Sequence, residues 1–274
     1  MKNFLTPIAV SSLFLLAPQA HAELPIINEK PFLGYFVGYL DRKIQFGITA
    51  KGDAILFPLK KDGTVQSIFK PIKINYEILE TNPDGTSTSK FIQSESLTSE
   101  QPAAVNPKKP AVISGKVTGD AAFQLACIPE RGGFSLTGKI TDKGKLTNPL
   151  RFAITIAFDP YEGSTGGSNE KEQEAFAKKL KRDEFRLKTV SGKREKIAFM
   201  ESLNPAVKFA EGFTEAELKT EGYDGTGFQF LASGDSKITF EDNGSGRFYQ
   251  GFTIIWSIKE GGDPSKSKLT IIPK

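Results

Sequence analysis

The chain of 274 residues holds one cysteine, Cys127, and one histidine, His21. That stock limits the chemistry at once. A single Cys excludes an internal disulfide framework and any multi-cysteine zinc or iron–sulfur site. A Ser-His-Asp or Cys-His centre needs an imidazole to take a proton near neutral pH, and His21 lies in a stretch predicted to be removed. Cys127 closes the run Phe123-Gln124-Leu125-Ala126-Cys127, where alternate residues share a strand face, so it is expected to be a small buried apolar side chain. No Gly-rich loop ends in Gly-Lys-Ser/Thr, and no Gly-x-Gly-x-x-Gly follows a strand. Ser and Lys are plentiful, but no Ser-x-x-Lys stands at a helix start. No cofactor and no catalytic residue is predicted.

Carboxylates leave two further options. A glycosidase needs two acids flanking a cleft. Asp159, Glu162, Glu241 and Asp242 are the candidates, but they stand beside turns, where acids usually cap or solvate. Asp142, Asp224 and Asp242 are the acids a calcium ion would use, yet no twelve-residue calcium loop surrounds them. The basic candidates are Lys178, Lys181, Arg182 and Arg186, with Lys188 beyond. They read either as a face for an anionic polymer such as a surface polysaccharide, or as charges complementing a helix end. The aromatic stock is 22 Phe, 6 Tyr and 1 Trp. Sugar-gripping surfaces display Trp and Tyr, whereas Trp256 alternates with Ile254 and Ile258 on a core face, so the rings read as packing. Phe32, Tyr35, Phe36 and Tyr39 are expected in a first strand, with an exposed aromatic patch as the alternative.

The elements that carry these residues show period-two alternation. It runs through Ile44, Phe46 and Ile48; through Ile72, Ile74, Tyr76 and Ile78; through Phe152, Ile154, Ile156 and Phe158; and through Phe252, Ile254, Trp256 and Ile258. Turns are predicted at Ala50-Lys51-Gly52-Asp53, Asn82-Pro83-Asp84-Gly85, Arg131-Gly132-Gly133 and Ser191-Gly192-Lys193. Two more hairpins are expected at Asp142-Lys143-Gly144 and Asp242-Asn243-Gly244. Residues 93–110, rich in Pro and Ser, are expected to form an irregular surface loop. Residues 214–218 fit either a helix start or a strand, and the alternation of Ala216 with Leu218 favours the strand. The fold class is therefore mainly β: an antiparallel sandwich or open barrel.

One helix is expected, over about 170–184. Asn169 caps it, Glu170, Glu172 and Glu174 sit near its positive end, and Lys178 to Arg182 sit near its negative end. It divides an N-terminal β domain (23–160) from a C-terminal one (185–274), with a Gly/Ser-rich linker and the helix over 161–184. Lys139-Ile140-Thr141 ahead of Phe152 resembles Lys237-Ile238-Thr239 ahead of Phe252. Phe123-Gln124-Leu125 likewise resembles Phe228-Gln229-Phe230. These echoes raise the expectation of an internal repeat.

Residues 1–22 read as a secretory signal: Lys2, an apolar run, then Ala20-His21-Ala22 as the cleavage pattern. Their removal would take the only His and lower the net charge from +4 to +3. That near-neutral balance gives no global pull toward nucleic acid. No later stretch reaches the ~20 apolar residues of a membrane span. The expectation is an exported protein, periplasmic or secreted, acting as a non-enzymatic binding or structural module toward an envelope or extracellular ligand. The alternatives are a His-independent glycan-active enzyme using carboxylates and an interaction module that offers strand edges.

Overall fold

The computed structural model describes residues 34–64, 72–158, 178, 183–198, 211–219, 227–242, 252–259 and 262–274. Their strands, in chain order, are β1 (Tyr35–Leu40), β2 (Ile44–Thr49), β3 (Ala54–Pro58), β4 (Ile72–Thr81), β5 (Ser87–Lys90), β6 (Ile92–Ser99), β7 (Ala104–Val105), β8 (Ala111–Val117), β9 (Ala122–Glu130), β10 (Gly133–Asp142), β11 (Leu150–Phe158), β12 (Glu184–Thr189), β13 (Arg194–Ala198), β14 (Phe213–Lys219), β15 (Phe228–Ser233), β16 (Ser236–Asp242), β17 (Phe252–Ile258) and β18 (Lys268–Pro273). The protein is mainly β, as the alternation predicted.

The strands form one curled, hydrogen-bonded path. One arm runs β7-β1-β2-β3-β4-β11-β17-β16, with β5 also paired to β4, and the other runs β6-β8-β9-β10-β18-β15-β14-β12-β13. A bridge between Phe213 and Ile238 joins the arms at β14 and β16. The path is thus a half-barrel rather than a closed one. Among the described strands, the one departure from the antiparallel expectation is the parallel pairing of β1 with β7.

Apolar side chains from both arms fill a single core. Phe46 of β2 stacks on Phe134 of β10 with centroids 4.2 Å apart. Phe252 of β17 meets Phe185 of β12 edge-on at 4.6 Å. Each such ring, fully buried, contributes about 2–3 kcal/mol, with a smaller gain from ring geometry. Alternation is the direct cause: in β4 the residues Ile72, Ile74, Tyr76 and Ile78 are all buried, while Lys73 and Asn75 between them are exposed.

Cys127 lies in this core, and burial pushes its thiol up to about 12. A thiolate is the reactive form. Cys127 is therefore expected to resist a disulfide-exchange reagent in the native protein and to react at once in denaturant. Rapid labelling in native buffer would contradict its placement.

Several turns stand where predicted. Gly52, Gly85, Gly132 and Gly192 all take positive φ between paired strands. Residues 214–218 lie within strand β14. Tyr35, Phe36 and Tyr39 lie in β1, the first described strand; Phe32 is outside the described residues. Two expectations need correction, and a third falls mostly outside the described residues. Residues 93–110 are not simply a loop: 93–99 belong to β6, which pairs with β8 across a register shift. A strand with one partner can keep a polar sequence, which hid it. The turn at Asp142-Lys143-Gly144 does not close a hairpin, because β10 pairs with β9 and β18 while β11 pairs with β4 and β17. It carries the chain from one arm to the other. The predicted helix lies mostly outside the described residues; Lys178 is helical and exposed, but Glu184 already opens β12. Cross-strand pairing to Ala198 and Lys219 claims that residue for the sheet.

The compared segments pair alike in part. β8 with β9, and β14 with β15, are both antiparallel neighbours. β16 pairs with β17, whereas β10 does not pair with β11.

Two ion pairs brace the sheet. Lys90 reaches Glu80 at 2.5 Å, and Asn148 donates to the same carboxylate. Lys268 reaches Glu130 at 2.6 Å, and Ser135 donates to it as well. The lysine hydrogen bonds hold both carboxyls below the usual glutamate range. Groups with a lowered folded pKa contribute stability above their unfolded value and lose it as pH falls through the folded one. Stability should therefore decline on acidification below the ordinary glutamate value. Lys90→Gln and Lys268→Gln should each flatten that decline in urea titrations run across pH.

Candidate functional site

β11 and β17 pair only from Ala153 opposite Ser257 up to Phe158 opposite Phe252. Below that row the two strands follow different neighbours. β11 continues along β4 as far as Leu150 opposite Glu80, and β17 continues along β16 as far as Ile258 opposite Ser236. The ladder between them ends and a groove of about 790 Å³ opens. β10 lies beneath it. Gly138 of β10 leaves room for the Phe152 ring, since a Cβ there would fall 2.1 Å from two of its carbons. The short 3₁₀ turn Pro264–Lys266 borders the groove, and the Thr137 hydroxyl donates to the adjacent Ser267 carbonyl at 2.6 Å.

Four cations line this groove: Lys139 from β10, Arg151 from β11, Lys237 from β16, and Lys259 just past β17. Lys139, Arg151 and Lys259 are exposed; Lys237 is half-buried, its stem lying over Gly212. Among the described residues no carboxylate lines the groove, and none of the four makes an ion pair. The acids near this end each hold a local hydrogen bond. Asp235 accepts from the Asp263 amide at 3.0 Å. Asp263 accepts from Ser265 and pairs with Lys266 at 3.3 Å; the Ser265 bonds chiefly lower its pKa. Asp142 accepts from the Gly144 amide. A concave surface lined by one sign of charge between low-dielectric walls focuses the field and draws counter-charges.

The basic residues singled out from sequence sit differently. Lys181 and Arg182 lie outside the described residues, and Lys178 is exposed. Arg186 is on β12, where its Nε donates to Glu184 at 2.8 Å and it stands opposite Lys196 and Glu217. Lys188 stands opposite Arg194 and Glu215. Charges of both signs alternate across these strands, which is the pattern of a solvated sheet face. Arg186 is thus not brought to the groove. Sequence reading missed the groove because its four cations are far apart along the chain and each, alone, looks like an ordinary outward residue of an alternating strand. Arg151, Lys237 and Lys259 stand at or beside strand ends, while Lys139 lies within β10, so no shared local signal marks the set.

Of the acids considered for catalysis, Asp159 and Glu162 lie outside the described residues, and Glu241 is exposed on β16. Of those considered for calcium, Asp224 lies outside them and Asp142 caps its own turn. Among the described residues no three His, Cys, Asp or Glu side chains gather as metal ligands, and no helix is long and apolar enough to cross a membrane.

Comparison with known proteins returned no matching family model and no matching curated protein.

Proposed function

We propose that this is a non-catalytic binding protein that holds an anionic ligand in the groove between β11 and β17. The observation that carries the reading is the set of four unpaired cations, Lys139, Arg151, Lys237 and Lys259, around one concavity whose described lining has no acid. Some cations elsewhere on the fold stand beside acids, as Lys145 does with Asp120 at 2.6 Å. Like charges held together repel, and an incoming anion relieves that repulsion. The lining also argues against acid–base catalysis on glycans, which needs two carboxylates facing the substrate. The edge strand β13 carries Arg194, Glu195 and Lys196, a charged edge that disfavours accepting another strand. The N-terminal 22 residues support export, so the ligand belongs to the envelope or the extracellular space.

Titration calorimetry with dextran sulfate tests the reading. The protein should bind it, and the doubly reversed variant Lys139→Glu/Arg151→Glu should bind at least about tenfold more weakly, a loss of about 1.4 kcal/mol. Lys188→Glu/Arg194→Glu, on the mixed-charge face, should change little. Equal loss from both variants would mean diffuse attraction and end the assignment of the groove.

A further inference from the structure

We infer that the ligand is a linear acidic polysaccharide laid along the groove, each of several sugar acids meeting a different cation; this rests on the anion-binding reading above. The spacing of the cations is the first support. Lys237 stands opposite Ser257, and Ser257 opposite Ala153, so Lys237 is two strand spacings from Ala153 in the same row. Arg151 lies two residues further along β11. With strands about 4.8 Å apart and about 3.3 Å per residue, the two Cα atoms are separated by about 12 Å. Lys139 comes from β10, in the other arm of the sheet path, beneath the pair. Cations distributed over such a span suit a ligand with several anionic groups.

The chemistry of the lining is the second support. A site for one compact phosphate typically offers backbone amides at a helix N-terminus or a Gly-rich nest. This groove is lined by strand residues with the accessible hydroxyl side chains Thr81 and Ser87. Its apolar lining includes the half-buried Ile140, Leu150 and Ile258 and the buried Phe152. Such side chains suit the C–H faces of sugar rings. Cations and hydroxyls beside small apolar patches match a polymer that alternates carboxylate edges with ring faces.

The test compares galacturonate monomer, a graded ladder of oligogalacturonates, neutral dextran, duplex DNA and vesicles containing an anionic phospholipid, at fixed ionic strength. Affinity should rise with oligomer length and level off once the oligomer spans the groove. Neutral dextran should not bind. Lys139→Gln/Arg151→Gln should lose about tenfold for long oligomers, with circular dichroism unchanged. A galacturonate monomer that binds as tightly as the long oligomers would overturn the polysaccharide assignment and leave the anion site standing. So would groove-dependent binding to DNA or vesicles with no binding to oligogalacturonates. Absence of binding to every anion, dextran sulfate included, would instead remove the underlying reading.

Discussion

Gly133→Ala is expected to lower stability by about 3 kcal/mol or more, one of the largest single-site losses in the molecule. A Cβ on Gly133 would fall 2.2 Å from the Ile271 carbonyl oxygen. The obstacle is backbone, so no side-chain rotamer relieves it. Gly133 opens the stretch of β10 that pairs with β18, Phe134 opposite Ile271 through Leu136 opposite Leu269. That ladder ties residues near the C-terminus to the first half of the chain, so separating it strains both. Its neighbour provides the control. Gly132 has φ +78° with nothing within 4 Å of its would-be Cβ, so Gly132→Ala should lose only the ordinary left-handed penalty of about 1–2 kcal/mol. Urea denaturation followed by tryptophan fluorescence measures both. Equal, small losses would show that β10 and β18 do not approach as described.

Trp256→Ala should lose about 3–5 kcal/mol, while Trp256→Phe should lose about 1.5 kcal/mol or less. Trp256 is fully buried on β17, between Ile154 of β11 and Ile238 of β16. Truncation to Ala leaves a cavity that the flanking strands, pinned by their ladders, cannot collapse into. The indole nitrogen, however, has no hydrogen-bond partner. An unsatisfied buried donor is destabilising by about 1–3 kcal/mol. Phe removes that donor while keeping most of the ring, and the two effects oppose each other. Thermal melts by circular dichroism read both variants, since the only tryptophan is the residue replaced. A Phe variant as unstable as the Ala variant would show that indole volume, not the orphan donor, dominates.

The groove and the core follow different rules. In the core each residue is placed by its own strand's alternation, so Phe123, Leu125 and Cys127 could be assigned to one buried face from the residues alone, and all three are buried. In the groove, Lys139 and Lys237 come from strands that share no ladder. Lys139 is in the arm opposite β16, and only the curl of the sheet brings it near Arg151. The same distinction explains the turn at Gly144. Its residues specify a bend, with φ +56°, but not whether the next strand pairs with the last. That choice went to β4 and β17, whose apolar faces give β11 a full partner on each side.

Local chemistry alone settled the β class, the buried faces and most tight turns, because period-two alternation and Gly at positive φ act over a few neighbouring residues. Which strands become neighbours, where the β11–β17 ladder ends, and which cations meet there were settled by the folded arrangement. These depend on competition among distant strands for the same edges, and pairing energies of that kind leave no mark on any short stretch of chain.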